Sequence, residues 1–85
     1  MYSIRFTGKS ERQFLRLDAR TRARLEERID QLAQWPNTTL DVRPLRGNLA
    51  GVYRLRVGQY RVIFVVDEER KRISVREIGP RGSIY

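Results

Sequence analysis

Gly51-Val52-Tyr53-Arg54-Leu55-Arg56-Val57-Gly58-Gln59-Tyr60-Arg61 is the stretch whose reading decides the fold. Side chains alternate sides along a β-strand. Tyr53, Leu55 and Val57 therefore fall on one face, and Val52, Arg54 and Arg56 on the other. Gly58-Gln59 interrupts the alternation as a tight turn. Beyond it, Tyr60, Val62, Phe64 and Val66 form one set, and Arg61, Ile63 and Val65 form the other. If the aromatic and aliphatic sets face the core, Arg54, Arg56 and Arg61 share the opposite face. Three guanidinium groups on one face of a hairpin are either a solvated basic surface or a seat for an anion or acidic partner.

Working outward, Asp67-Glu68-Glu69-Arg70-Lys71 reads as a charged turn. A last strand follows over 72–79, with Ile73, Val75 and Glu77 expected on one face and Ser74, Arg76 and Ile78 on the other. In the other direction, Leu45 to Ala50 is a connection, and Leu40 to Arg43 is a strand that ends at Pro44. At the start, Tyr2-Ser3-Ile4-Arg5-Phe6 alternates as a first strand. Ser10 and Gln13 have capping-box spacing, which predicts a short helix beginning at Ser10 with Phe14 and Leu17 inward. Asp18 is a second N-cap, for a helix from Ala19 to about Gln34. Leu25, Ile29 and Leu32 form its buried stripe. Trp35-Pro36 disfavours continuation.

The order strand-helix-helix-strand-strand-strand-strand predicts one α+β domain over 1–85, a two-helix hairpin packed on one face of an antiparallel sheet and open on the other. Tyr53, Tyr60 and Trp35 are expected in the packing. The charged outer face of the second helix, Arg20 to Arg28, reads as a solvated surface with no catalytic role.

Composition narrows the chemistry. With 85 residues and neither cysteine nor histidine, the chain has no disulfide, no thiolate metal site and no His-based acid–base pair. No cofactor or metal is expected. No apolar run approaches the ~20 residues of a membrane helix, so the default expectation is a cytoplasmic protein. The net charge is +8, carried by 16 arginines and two lysines, Lys9 and Lys71. Arginine offers planar, bidentate contacts to phosphate. A basic domain of this kind points to nucleic acid or an acidic protein partner; a high-GC genome would also raise arginine over lysine.

The open face is expected to hold Arg54, Arg56, Arg61 and Arg76, joined by Arg81 and Tyr85 from the tail. Such a set suits a phosphodiester. Arginines can neutralise the charge that develops on phosphorus during RNA cleavage, and a tyrosine among them can act as a base or stack on a nucleobase. RNA carries its own nucleophile, the 2′-hydroxyl. Arg43 and Arg46 read as general RNA contacts. Asp41 and Glu77 are carboxylates able to pair with arginine.

Leu45-Arg46-Gly47, Tyr53-Arg54-Leu55-Arg56-Val57-Gly58, Gln59-Tyr60-Arg61-Val62-Ile63-Phe64, Ile78-Gly79-Pro80-Arg81 and Tyr85 together resemble the RelE branch of the RelE/ParE toxin superfamily. The resemblance spans essentially the whole chain. It implies a RelE-like fold and the toxin of a type II toxin–antitoxin pair, one that enters the ribosomal A site and cuts mRNA there by 2′-hydroxyl attack. It implies as partners the ribosome and mRNA and an antitoxin that wraps the toxin with an acidic helical segment. Operator DNA would be met only through the antitoxin complex. Carried over residue by residue, Arg61 matches the arginine that stabilises the transition state, and Arg81 the one at the leaving group. Tyr85 matches the tyrosine that orients the base. Arg54 and Arg56 stand where relatives often carry lysines, and Pro80 where many carry histidine or lysine. Arginine keeps the charge but is a poor proton relay. The same superfamily fold also serves ParE-like inhibitors that bind DNA gyrase without cleaving anything, and a catalytically inactive antitoxin-binding relative would share it too.

Overall fold

The computed structural model describes residues 1–45 and 51–80. Its elements are β1 (Ser3–Phe6), α1 (Gly8–Leu15), α2 (Ala19–Gln31) with a 3-10 turn over Leu32–Gln34, β2 (Asp41–Pro44), β3 (Val52–Val57), β4 (Tyr60–Asp67) and β5 (Arg72–Pro80). The five strands form one sheet in the order β1-β5-β4-β3-β2. The expected α+β architecture is therefore present, with one refinement. β2 to β5 are antiparallel, whereas β1 lies parallel to β5, with Ser3 opposite Arg72 and Phe6 opposite Val75.

The hairpin folds as its alternation predicts. Val57 pairs with Tyr60 across the two-residue turn Gly58-Gln59. Gly58 has φ +58°, a left-handed conformation that glycine adopts without cost at the first position of such turns. A Cβ there would also sit 3.0 Å from the Arg24 guanidinium of α2.

Leu55, Val57, Val62, Phe64, Ile73, Val75 and Ile78 are buried from the sheet against Leu25, Ile29 and Leu32 from the helical layer. Trp35 packs under the sheet with its ring 4.8 Å from Tyr53 and 6.3 Å from Phe64, and Tyr53 stacks on Phe64 at 5.6 Å. Both residues act in packing, as expected. Ile4 and Phe6 of β1, Phe14 of α1 and the flanking Tyr2 and Leu17 pack around this core.

The phase of the last strand differs from the sequence reading. The register shifts between Ile63 and Phe64, so that Phe64 faces Val75 but Ile63 faces Glu77. Arg76 is the extra residue of a β-bulge. Ile78 therefore joins Ile73 and Val75 in the core, and Glu77 turns to the other face.

The bulge frees backbone groups, and α1 takes them up. The buried Ser10 Oγ donates to the Val75 carbonyl at 2.6 Å, Thr7 N–H donates to the same oxygen at 3.1 Å, and Gln13 Oε1 accepts from Ile78 N–H at 2.7 Å. Helix α1 accordingly starts two residues before Ser10. Its N-cap is Thr7, whose side chain accepts from Ser10 N–H, while Ser10 Oγ accepts from Thr7 N–H. Gln13 does not close the capping box; it serves β5. Ser10→Ala removes a buried donor and half of this box. It is expected to cost about 1–3 kcal/mol, read as a lower urea midpoint; an unchanged midpoint would show that α1 does not depend on this bond.

Asp18 caps α2 as expected, accepting from Thr21 N–H at 3.2 Å and from Thr21 Oγ1 at 2.6 Å. These bonds, the hydroxyl first, hold its carboxyl below the usual carboxylate range; Asp67 is lowered likewise by Arg70. Both groups bind a proton more weakly when folded, so their stabilisation is present above the unfolded carboxylate range and lost as pH falls through the folded values. Asp18→Asn keeps a capping oxygen but not the charge. Thermal unfolding of this variant at pH 7 and pH 3 should therefore show a smaller drop in Tm than the parent chain shows. An equal drop would remove Asp18 from the acid response.

Candidate nucleic-acid interface

Two strand-to-strand registers build the site on the face of the sheet away from the helices. In the β3–β4 hairpin Arg56 stands directly opposite Arg61, and in the β2–β3 pair Arg43 stands opposite Arg54 and Asp41 opposite Arg56. Because Leu55, Val42 and Val62 point to the core, alternation sends Asp41, Arg43, Arg54, Arg56 and Arg61 to the same side. The sequence reading of Arg54, Arg56 and Arg61 as one group thus holds, and Arg43 joins it. Arg46, Arg81 and Tyr85 lie outside the described residues.

The electrostatics of this row are unusual for a sheet surface. Like charges directly across a ladder repel, and here they sit in the half-buried ground between neighbouring strands. Arg54 is only 12% exposed along its side chain and donates from Nη2 to Asp41 Oδ1 at 3.2 Å. Arg43 Nε lies 3.8 Å from the same oxygen. The Nε atoms of Arg54 and Arg56 are buried and meet no hydrogen-bond acceptor among the described residues. A buried N–H without an acceptor costs free energy unless something supplies one. A phosphate, with several oxygens and a negative charge, supplies both the acceptor and the charge.

Beside this row the same face holds a groove of about 650 Å³ lined by Leu45, Val52, Ile63 and Val65 together with Arg5, Lys9, Arg76 and Glu77. Arg76, placed by the bulge, therefore faces the groove and not the arginine row. Glu77, a second carboxylate of this face, is engaged by Lys9 Nζ at 2.7 Å and pairs with no arginine among the described residues. Alternation in β3 and β4 was enough to find the three central arginines. Asp41 pairs with arginine as expected; that its partner is Arg54 depends on the register of β2 against β3, which alternation alone does not give.

Among the described residues no helix is long and apolar enough to cross a membrane.

Comparison with known proteins bears on what this face does. A family model described as ParE toxin of type II toxin-antitoxin system, parDE, matches residues 4–85. The chain is 33% identical to a Mycobacterium tuberculosis protein named Toxin RelG over 86 residues, covering 99% of this chain and 95% of the relative. Among solved structures, the toxin–antitoxin complex RelBE2 from M. tuberculosis contains a chain that superposes with a TM-score of 0.80 at 30% identity, covering 94% of this chain and 98% of that one. The archaeal RelE–RelB complex from Pyrococcus horikoshii OT3 gives 0.79 at 29% identity, covering 96% and 97%. The isolated Escherichia coli RelE toxin has the same fold, with a TM-score of 0.80 at 20% identity.

Proposed function

The chain belongs to the ParE toxin family of type II toxin–antitoxin systems, within the RelE/ParE superfamily, and from that premise we propose that it is a ribosome-dependent mRNA endonuclease. The observation that carries this reading is the cross-strand row Arg43, Arg54, Arg56 and Arg61, which gathers four guanidinium groups on the open face of the sheet. Planar guanidinium groups pair bidentately with phosphate oxygens, and a toxin that acts only by docking to a protein does not require such a row.

The chemistry asked of the row is electrostatic. The 2′-oxygen of one nucleotide bonds to the adjacent phosphorus and loses its proton. The bond from phosphorus to the 5′-oxygen breaks, and that oxygen takes a proton from water while water accepts the one the 2′-oxygen releases, giving a 2′,3′-cyclic phosphate and a free 5′-hydroxyl. Negative charge accumulates on the non-bridging oxygens as the 2′-oxygen attacks, and Arg61, with Arg54 and Arg56 beside it, is placed to stabilise that charge. Arg81 at the leaving oxygen and Tyr85 on the base complete the set as the family resemblance assigns them. Arginine is an implausible proton carrier near neutral pH, so orientation of the 2′-hydroxyl falls to the ribosome-held mRNA and to Tyr85. The cognate antitoxin is the second partner: structures similar to this chain are complexes with RelB antitoxins, and an acidic helical segment would complement the +8 net charge.

The test is primer extension on a defined mRNA in a purified translation system with and without ribosomes. New 5′ ends within A-site codons, present only with ribosomes, are expected. The family model carries the name of ParE, which makes gyrase inhibition the competing reading. Intact mRNA in both lanes together with loss of supercoiling activity in a gyrase assay would establish that reading instead.

A further inference from the structure

The register of β2 against β3 sets one carboxylate inside the arginine row. Asp41 stands across from Arg56, and its Oδ1 accepts from Arg54 Nη2 at 3.2 Å, with Arg43 Nε at 3.8 Å. Arg54 thus has one prong of its guanidinium held by Asp41 while its buried Nε–H meets no acceptor among the described residues. Asp41 itself is 44% exposed, and its pair with the exposed Arg43 contributes little to folding. Its pair with Arg54 differs, because it reaches a guanidinium side chain that is only 12% exposed and ties one of its prongs down. The fixed guanidinium is what it accounts for.

We propose that Asp41 is a positioning residue that fixes Arg54 so that its remaining N–H groups meet the reacting phosphate, and that as an internal anion it competes with RNA for the same cation. This inference rests on the RNA-cleavage reading given above. Its two halves act in opposite directions. Removing the carboxylate leaves the row more positive, which strengthens RNA binding. It also lets the Arg54 guanidinium turn among several rotamers, which slows the chemical step, because that step depends on a donor already aimed at the developing charge. A residue that only supported the fold would weaken binding and cleavage together.

The experiment uses the full chain and its variants Asp41→Asn and Asp41→Glu. Single-turnover cleavage is followed in the purified translation system. Binding is measured separately, on a single-stranded RNA carrying 2′-deoxyribose at every position of the codon so that it cannot be cut, over a range of salt concentrations. Asp41→Asn is expected to cleave about 10-fold more slowly and to bind about 2–5-fold more tightly at low salt. Asp41→Glu, which keeps the anion, is expected to recover most of the rate. In an Arg54→Ala background, Asp41→Asn should cause no further loss of rate, because the group it positions is gone. A wild-type chain that cleaves normally beside an Asp41→Asn variant that cleaves equally fast overturns the inference alone. Parallel loss of binding and cleavage in Asp41→Asn overturns it as well. A wild-type chain that does not cleave at all defeats the RNA-cleavage reading and this inference with it.

Discussion

Arg61→Ala is expected to lower ribosome-dependent cleavage by about 10²–10³-fold, the loss seen when one preorganised donor to a developing oxyanion is removed. The same variant should unfold with nearly the midpoint of the parent chain. Arg61 is the second residue of β4, on the face away from the helices, opposite Arg56 and close to the turn at Gly58-Gln59. Its neighbours in the ladder, Val57, Tyr60 and Val62, hold the strand in place through packing that does not involve the guanidinium. Cleavage and thermal unfolding measured on the same preparation separate the two roles. A variant that is inactive because it is unfolded would remove Arg61 from the chemistry, and so would a folded variant with full activity. Arg61→Lys adds a finer reading: it keeps the charge and loses the planar fork, so it should fall between the parent and the alanine variant.

Phe64→Ala is expected to do the opposite, with the loss read in stability. Phe64 is fully buried at the centre of the sheet, stacked against Tyr53 and edge-on to Trp35. Truncation leaves a cavity between the sheet and the segment that follows α2, and should cost about 3–5 kcal/mol. For a chain of this size that is a large fraction of the ~5–15 kcal/mol that holds a domain together. Urea unfolding by tryptophan fluorescence is the natural probe, because Trp35 packs against the lost ring. A midpoint shift corresponding to less than about 1 kcal/mol would mean that the aromatic group is not the anchor of the core.

The contrast between these two residues also explains what was legible in the sequence. β3 and β4 are joined by a two-residue turn and keep strict alternation, so their core and open faces follow from counting by two. That is why the central arginines could be grouped before any coordinates. β5 defeated the same counting because one residue, Arg76, is inserted opposite Ile63/Phe64. An insertion of this kind reverses the sides of everything after it. The clue was present in the spacing of Ile73, Val75 and Ile78, two and then three apart, which a continuous alternation cannot bury together. The start of α1 was misplaced for a related reason. Thr7-x-x-Ser10 has the spacing of a capping box without the usual acidic or amide partner, whereas Ser10-x-x-Gln13 has that partner, and Gln13 is claimed by the backbone of β5. That Asp41 could pair with arginine was legible, and it does pair with Arg54; which arginine it meets was not, because that is set across strands that no local pattern aligns.

The parallel pairing of β1 with β5 has a consequence for how the fold is reached. Ser3 meets Arg72, and Phe6 meets Val75, contacts between segments almost the whole described length apart. β1 leaves the ribosome before the other strands of the sheet, yet it has no ladder partner until β5 has been made. Contacts of such long range slow folding, because the intervening chain must be ordered before they form. The strands that carry the arginine row, β2 to β4, are all made before β5, but the step that joins β1 to the sheet is timed by synthesis of β5.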